Sequence, residues 1–291
     1  MDNDFVFNKV GGTVITVGTD PEFFLKKAGK LLPAFKGLPE KGPIFADGFQ
    51  AEINPKPGIM LPPLRERVKQ MMAEALRISG ADEISPNCVE RVDEDEMATA
   101  GKWRELGCQP SINIYGVYPD LPLDGGTFME RFAGNHIHFG RICNRVEGER
   151  IVRALDGCLA VWMTGVGAGI ESPIRRQYYG LAGEIREQKW GLEYRTLSNL
   201  PLLHPALWSL TFKLARDIFN LALFDKFDFW KVKENDYLRA VNETDPDRSR
   251  AILADNQDAF GRLAGPLALE AGMHGFGRLS NSLNVRENWG I

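Results

Sequence analysis

The chain of 291 residues has four cysteines, Cys88, Cys108, Cys143 and Cys158, and no two of them form a CxxC pair. A chain this long does not need a disulfide framework, so free thiols in a reducing compartment are expected. There is no excess of positive charge. The formal net charge is -4, which excludes a general attraction to nucleic acid or to an anionic membrane and leaves only a local basic site open. The opening residues, MDNDFVFNKV, lack a basic-then-apolar signal pattern. The longest apolar stretch, Cys158 to Ile170, is broken by Thr164 and several glycines and is too short to span a bilayer. A soluble, cytoplasmic protein with no membrane partner is expected. Also missing are a GxxxxGK[ST] phosphate loop, a GxGxxG after a strand and a GxSxG elbow. If a nucleotide is used, metals and arginines must hold it.

The composition that remains is that of an ordinary globular protein, 44% hydrophobic and 25% charged. No repeat or linker forces a domain cut, so residues 1–291 read as one domain with a helical C-terminal portion from about residue 200. Strand-like runs occur at Thr13 to Val17, Glu22 to Lys26, Ala51 to Asn54, Ser111 to Tyr115, Asn135 to Phe139 and Gly191 to Thr196. Ala28-Gly29-Lys30 looks like a hairpin turn. Helical spacing predicts helices from near Leu64 to near Gly80, from Glu147 to about Val166, and from Pro205 to Leu223. Pro62 and Pro63 are expected to delay the first of these helices until Leu64. Strands and helices mix without a βαβ rhythm, which points to an α+β fold with a mostly antiparallel sheet.

Three of the strand candidates share an unusual pattern. Residues i and i+2 of a strand face the same side. Asp20 and Glu22 flank Pro21, His136 and His138 flank Ile137, and Glu193 and Arg195 flank Tyr194. Each strand would pack one face and load the other with ionisable groups. Taken singly, Asp-Pro-Glu is ordinarily a turn, a histidine is ordinarily solvent-facing or satisfied in the core, and Glu193 with Arg195 is a routine surface ion pair. Three strands with the same pattern call for a common cause. Crowded carboxylates repel one another, and divalent cations relieve that repulsion. A set of carboxylates with an occasional imidazole suits Mg²⁺ or Mn²⁺. Glu52, in the run DGFQAE, adds a further carboxylate, while Asp47-Gly48 reads as a turn.

Residues 175 to 195, RRQYYGLAGEIREQKWGLEYR, interleave Arg175, Arg176, Arg186 and Arg195 with glycines. Arginine binds phosphate bidentately and stays charged. The plainer reading is a charged surface hairpin, since Glu184, Glu187 and Lys189 lie in the same stretch. In an extended segment, only one of Arg175 and Arg176 would face a site.

These motifs resemble a known superfamily. Gly18-Thr-Asp-Pro-Glu-Phe-Phe-Leu25, Gly134-Asn-His-Ile-His-Phe-Gly140 and Gly191-Leu-Glu-Tyr-Arg195 are similar to three metal- and phosphate-binding strands of glutamine synthetases. Asp47-Gly-Phe-Gln-Ala-Glu52 resembles a strand of glutamate–cysteine ligases. The run RRQYYGLAGEIR followed by GLEYRTLSN is similar to the phage-type carboxylate–amine ligase family of type 2. The resemblance covers roughly Gly18 to Asn199. Asn135, where relatives often carry glycine, and Gln109, where an acid is expected, depart from it.

The resemblance implies a curved sheet with helices on its apolar face and an active site on its polar concave face. It implies ATP and Mg²⁺ (or Mn²⁺) as cofactors. Asp20, Glu193 and His136 would hold one metal, and Glu22 and Glu52 a second. His138 would contact the nucleotide, and Arg175 or Arg176, Arg186 and Arg195 would clamp the transferring phosphate. The reaction implied joins a small-molecule or peptide carboxylate to an amine through an acyl phosphate, in a host cytoplasm, with room for a homo-oligomer. Three other activities fit the same residues: a guanidino-kinase-like phosphotransferase, a zinc hydrolase using His136 and His138, and a binding protein without catalysis.

Overall fold

The computed structural model describes residues 9–10, 13–105, 111–118 and 128–291. Cys108 and Gln109 lie outside the described residues, and Cys88, Cys143 and Cys158 carry free thiols. Two antiparallel sheets carry the site, and their strands are numbered in chain order. They are β1 Val17–Thr19, β2 Glu22–Phe23, β3 Ile44–Asp47, β4 Gln50–Ile53, β5 Ile112–Asn113, β6 Ile137–Phe139, β7 Glu184–Gln188 and β8 Gly191–Tyr194. One sheet has the order β5-β7-β8-β6-β1 and the other β2-β4-β3. Smaller antiparallel pairings join Leu25–Lys27 to Lys30–Leu32 and Glu83–Ile84, and Val89–Arg91 to Glu130–Phe132. Every pairing among the described strands is antiparallel, so the fold is α+β, as the irregular rhythm of elements implies.

The continuous strands expected near the N-terminus are interrupted, and the interruptions redirect the chain. Thr13 to Val17 divides into Thr13–Val14 and a separate β1. The run from Glu22 changes partner at Phe24, because Phe23 pairs with Ala51 whereas Leu25 pairs with Ile84. Asp20 and Pro21 form the step between β1 of one sheet and β2 of the other. The Ala28-Gly29 turn has both residues at positive φ, 50° and 76°, as a two-residue hairpin loop of the mirror-image class requires.

Helix α1 spans Leu61–Ser79 and so begins earlier than the prolines suggest. Pro62 and Pro63 occupy its first turn, where the missing N–H groups have no helical partner to lose. Gly80, at φ 69°, ends it in the left-handed conformation. Helix α2, Arg145–Ala154, starts from an Asn144–Glu147 capping box and runs on through a π-helical segment, Leu155–Ala160, into Val161–Val166. Helix α3 is Pro173–Tyr178, a segment with no helical signal in the sequence reading. Helix α4, Pro205–Leu223, has the bounds its periodicity predicts. Short helices follow at Glu234–Asn242, Pro246–Asp255, Gln257–Ala264, Pro266–His274 and Val285–Trp289. No helix among the described residues is long and apolar enough to cross a membrane.

The register of the larger sheet sorts side chains by face. Ile137 lies opposite Tyr194, which lies opposite Ile185, while Phe139 lies opposite Leu192 and Val17. All six are buried, and Phe139 stacks on Phe219 of α4 at 4.4 Å between centroids. The alternate positions, Arg186, Glu193, His138 and Gly18, form a row across the other face. One hydrophobic cluster runs from Ile15 to Trp289, so the C-terminal helices share the core that backs this sheet.

Phe139 therefore couples the site-bearing sheet to α4. Truncating a buried aromatic leaves a cavity as well as lost transfer energy. Phe139→Ala should destabilise the fold by about 3–5 kcal/mol, read as a lower urea midpoint with an unchanged m-value.

Candidate functional site

Antiparallel register brings together groups that lie far apart in the chain. His138 of β6 faces Glu193 of β8, and Arg186 of β7 faces the same glutamate from the other side. Glu22 of β2 faces Glu52 of β4. Asp47 ends β3 beside a turn at Gly48, where φ is 65°. With Asp47 opposite Gln50 and Phe45 opposite Glu52, the hairpin sets Asp47 and Glu52 on one face. Two clusters result. In one, single ligand atoms of Asp20, His138 and Glu193 all lie within 4.8 Å of one another, and in the other the same holds for Glu22, Asp47 and Glu52. Asp47, read from sequence as a turn residue, is thus part of the site. The signal for it was the two-residue turn, which fixes the hairpin register and with it the face.

His136 is buried and lies between the carboxylates and Tyr179. Its Nδ1 is 2.9 Å from Asp20 Oδ1 and 3.7 Å from Glu193 Oε1, while Nε2 meets the Tyr179 hydroxyl. His138 Nε2 is 3.2 Å from Asp20 Oδ2. Both imidazoles of the expected pair therefore reach Asp20. Tyr179, which the sequence reading did not single out, also lies 3.4 Å from an Arg195 nitrogen. Asn135, the departure next to the histidines, accepts from Thr19 at 2.5 Å and so ties β1 to the histidine segment. Glu193 is held by Arg195, by Arg186 at 3.3 Å and by Gln188 at 3.0 Å. Behind the sheet, Asp156 on the π-helical segment accepts from Tyr194 at 2.7 Å and Tyr115 at 3.1 Å, anchoring the strand that carries Glu193.

The four arginines divide into two pairs. Arg186 and Arg195 are at the clusters. Arg175 and Arg176 are on α3, both buried, and donate to backbone carbonyls instead. Arg175 reaches Ala133, Thr196 and Leu197, and Arg176 reaches Gly180 and Thr196 and pairs with Glu171 at 3.5 Å. A carbonyl clamp, where the sequence suggested a phosphate clamp, explains the neighbouring glycine. A Cβ at Gly180, which sits at φ 74°, would come within 2.3 Å of the Arg175 guanidinium. Because the segment is helical and not extended, both arginines turn inward.

The two clusters have opposite electrostatic balance. Burial alone would raise Asp20, but His136 and His138 hold it well below the usual carboxylate range. Burial also opposes ionisation of Glu193, yet His136 and Arg195 bring it below its ordinary value. Against burial, Asp20 raises His138, whereas burial lowers His136. In the other cluster burial dominates. Glu22 is pushed up to about 8, with Asp47 and Asp20 adding repulsion, and Glu52 is pushed up to about 9, with Glu22, Asp20 and Asp47 adding to it. Burial raises Asp47 as well. The mixed cluster contains its own cations, and in the all-carboxylate cluster the charge of Arg195 offsets burial only in part at Glu22 and Asp47.

This arrangement fits hard divalent cations. Asp20 Oδ1 and His138 Nε2 are buried with no partner in hydrogen-bond geometry, although their neighbours are close. Three carboxylates in one cluster, and two with an imidazole in the other, are donor sets for Mg²⁺ or Mn²⁺.

A family model described as phage phiEco32-like COOH.NH2 ligase-type 2 matches residues 122–289. The match includes both histidines, the four arginines and Glu193, and it extends through the C-terminal helices, where no sequence motif could be placed. The crystal structure of a novel glutamine synthase homolog aligns with 95% of this chain and 70% of that chain, at 12% identity and a TM-score of 0.45. No curated protein matches the chain.

Glu22 and Glu52 make the metal-free protein sensitive to pH. The ordinary glutamate value is 4.5, and the folded values are about 8 and about 9. Across that window the folded chain keeps protons that the unfolded chain has released, so stability in EDTA should fall as pH rises from 4.5 to 9. Mg²⁺ should restore it, raising the calorimetric Tm more at pH 8.5 than at pH 6. The double variant Glu22→Gln/Glu52→Gln should flatten both dependences.

Proposed function

The chain belongs to the family of phage phiEco32-like COOH.NH2 ligases of type 2, and from that membership we propose that it is an ATP- and Mg²⁺-dependent carboxylate–amine ligase working through an acyl phosphate. The observation that carries the proposal is the all-carboxylate cluster beside a cation-balanced one. Glu22 is buried and Asp47 and Glu52 are half-buried, and three carboxylates this close together gain from a cation and from the ligand that the cation brings.

Asp20, Glu193 and the imidazoles would hold one Mg²⁺, and Glu22, Asp47 and Glu52 the other. When bound, the ions would neutralise phosphate oxygens and orient the reacting carboxylate. In the first step, a carboxylate oxygen of the substrate bonds to the γ-phosphorus of ATP as the bond from that phosphorus to the ADP oxygen breaks. In the second, the amine nitrogen attacks the acyl carbon, phosphate leaves with the electron pair of the C–O bond, and the nitrogen gives up a proton. No protein nucleophile is required, which agrees with the lack of a nucleophile motif.

The protein's work is then positioning and charge stabilisation. Arg195, buried between Glu193 and Tyr179, supplies a fixed positive charge. Arg186, whose side chain is 40% exposed, is the arginine able to reach a bound phosphate. Arg175 and Arg176 hold the segments around Ala133 and Thr196 in place and touch no reactant. Oxygen-rich donors favour Mg²⁺ or Mn²⁺ over the zinc of a hydrolase.

The test is a coupled ADP and phosphate assay with Mg²⁺ over pools of carboxylates and amines. The wild type should release both products in equal amounts with a matching pair. Glu22→Ala and Arg195→Ala should lose about 100-fold or more in kcat. ADP without free phosphate would indicate a phosphotransferase, and turnover without ATP a hydrolase. Failure of the wild type to bind Mg·ATP in calorimetry would overturn the ligase reading.

A further inference from the structure

Tyr179 belongs to neither carboxylate cluster, yet the chain takes pains to place it. It follows α3 in extended backbone, its N–H donates to the Arg175 carbonyl at 2.7 Å, and Gly180 then turns the chain at φ 74°. Two guanidiniums face the buried ring, that of Arg175 at 4.8 Å and that of Arg195 at 5.9 Å. A Cβ at Gly134 would lie 3.0 Å from both the hydroxyl and the ring edge, so glycine at that position leaves the space the phenol fills. Packed in this way, the hydroxyl meets His136 Nε2 and lies 3.4 Å from an Arg195 nitrogen.

The two ring nitrogens of His136 have different neighbours. A neutral imidazole, the form that can ligate a metal, has one N–H and one lone pair, and its partners decide which nitrogen keeps the lone pair. Nδ1 faces Asp20 Oδ1 at 2.9 Å, Glu193 Oε1 at 3.7 Å and an Arg195 nitrogen at 3.5 Å. Arginine can only donate, so the contact with Arg195 needs a lone pair on Nδ1. An ionised Asp20 can only accept and pulls the other way, but its Oδ1 is buried with no partner in hydrogen-bond geometry. The close approach to Asp20 is therefore not an N–H bond. The ring proton belongs on Nε2, where the Tyr179 oxygen is placed to accept it.

We propose that Tyr179 is a positioning residue. By accepting from Nε2–H it fixes the tautomer of His136 and leaves the Nδ1 lone pair facing Asp20 and Glu193. The assignment rests on the ligase reading above and adds the residue that readies one imidazole for the cation of the mixed cluster. Tyr179 itself touches no reactant. A ligating histidine is oriented through its second nitrogen, and loss of the partner there weakens metal binding by about 10–100-fold. The cluster of Glu22, Asp47 and Glu52 contains no imidazole and does not depend on this tautomer.

The experiment compares wild type with Tyr179→Phe, which keeps the ring between the arginines and removes only the hydroxyl. In metal-free protein, nitrogen NMR with isotope in the four histidines reads the tautomer directly, and His136→Gln assigns the resonance. The wild type should show a protonated Nε2 and a bare Nδ1. Tyr179→Phe should move the proton toward Nδ1, where Asp20 is the remaining acceptor. Calorimetry with Mn²⁺ should find one of two sites weakened by about 10–100-fold in Tyr179→Phe and the other unchanged. A wild type protonated at Nδ1 would overturn the assignment whether or not the variant folds. So would an unchanged tautomer in the folded variant. An equal change at both Mn²⁺ sites, or none, would do the same and mark Tyr179 as a packing residue. If the wild type binds no Mn²⁺ but carries the proton on Nε2, the ligase reading falls and the tautomer assignment stands.

Discussion

Repulsion among buried carboxylates is the constraint on which the rest of this molecule turns. Glu22, Asp47 and Glu52 are brought together by the pairing of β2, β4 and β3, while Asp20 stands close enough to add to the repulsion. The neighbouring cluster shows the alternative, since Arg195, Arg186 and two histidines surround Glu193 and Asp20 and keep them ionised without outside help. Placing the two clusters side by side gives one region with fixed charge and another whose charge depends on what binds.

Much of this was legible in the sequence because strand periodicity is a local signal. The i, i+2 spacing singled out Asp20 with Glu22 and His136 with His138, although Asp20 lies in the step between the two sheets and joins a different cluster from Glu22. The long apolar spacings of α4 gave its bounds as well. Asp47 was missed because its role depends on pairing across a hairpin, which spacing within a single strand does not express. Tyr179 was missed because an aromatic residue among arginines has no pattern of its own, and only the approach of His136 and Arg195 reveals its contacts.

In the arginine-rich segment, charge in the sequence does not by itself separate a ligand-facing guanidinium from one that holds the backbone. Arg175 and Arg176 read as phosphate ligands by composition and by family likeness, yet Arg175 donates to three main-chain oxygens and Arg176 to two while also pairing with Glu171. Irregular backbone near a polar site leaves carbonyls that no ladder satisfies, and a buried guanidinium can satisfy several of them at once. These two residues thus support the segments leading to His136 and following Arg195. The glycine at position 180 makes room for the Arg175 guanidinium.

The two clusters also differ in how far apart their members lie along the chain. Glu22, Asp47 and Glu52 sit on strands that pair within the first 53 residues. Asp20, His138 and Glu193 meet only after β6 and β8 have paired across the larger sheet. The first cluster is thus closed by local pairings and the second by long-range ones, so loop-closure entropy weighs more on the half-site that carries its own counter-charge.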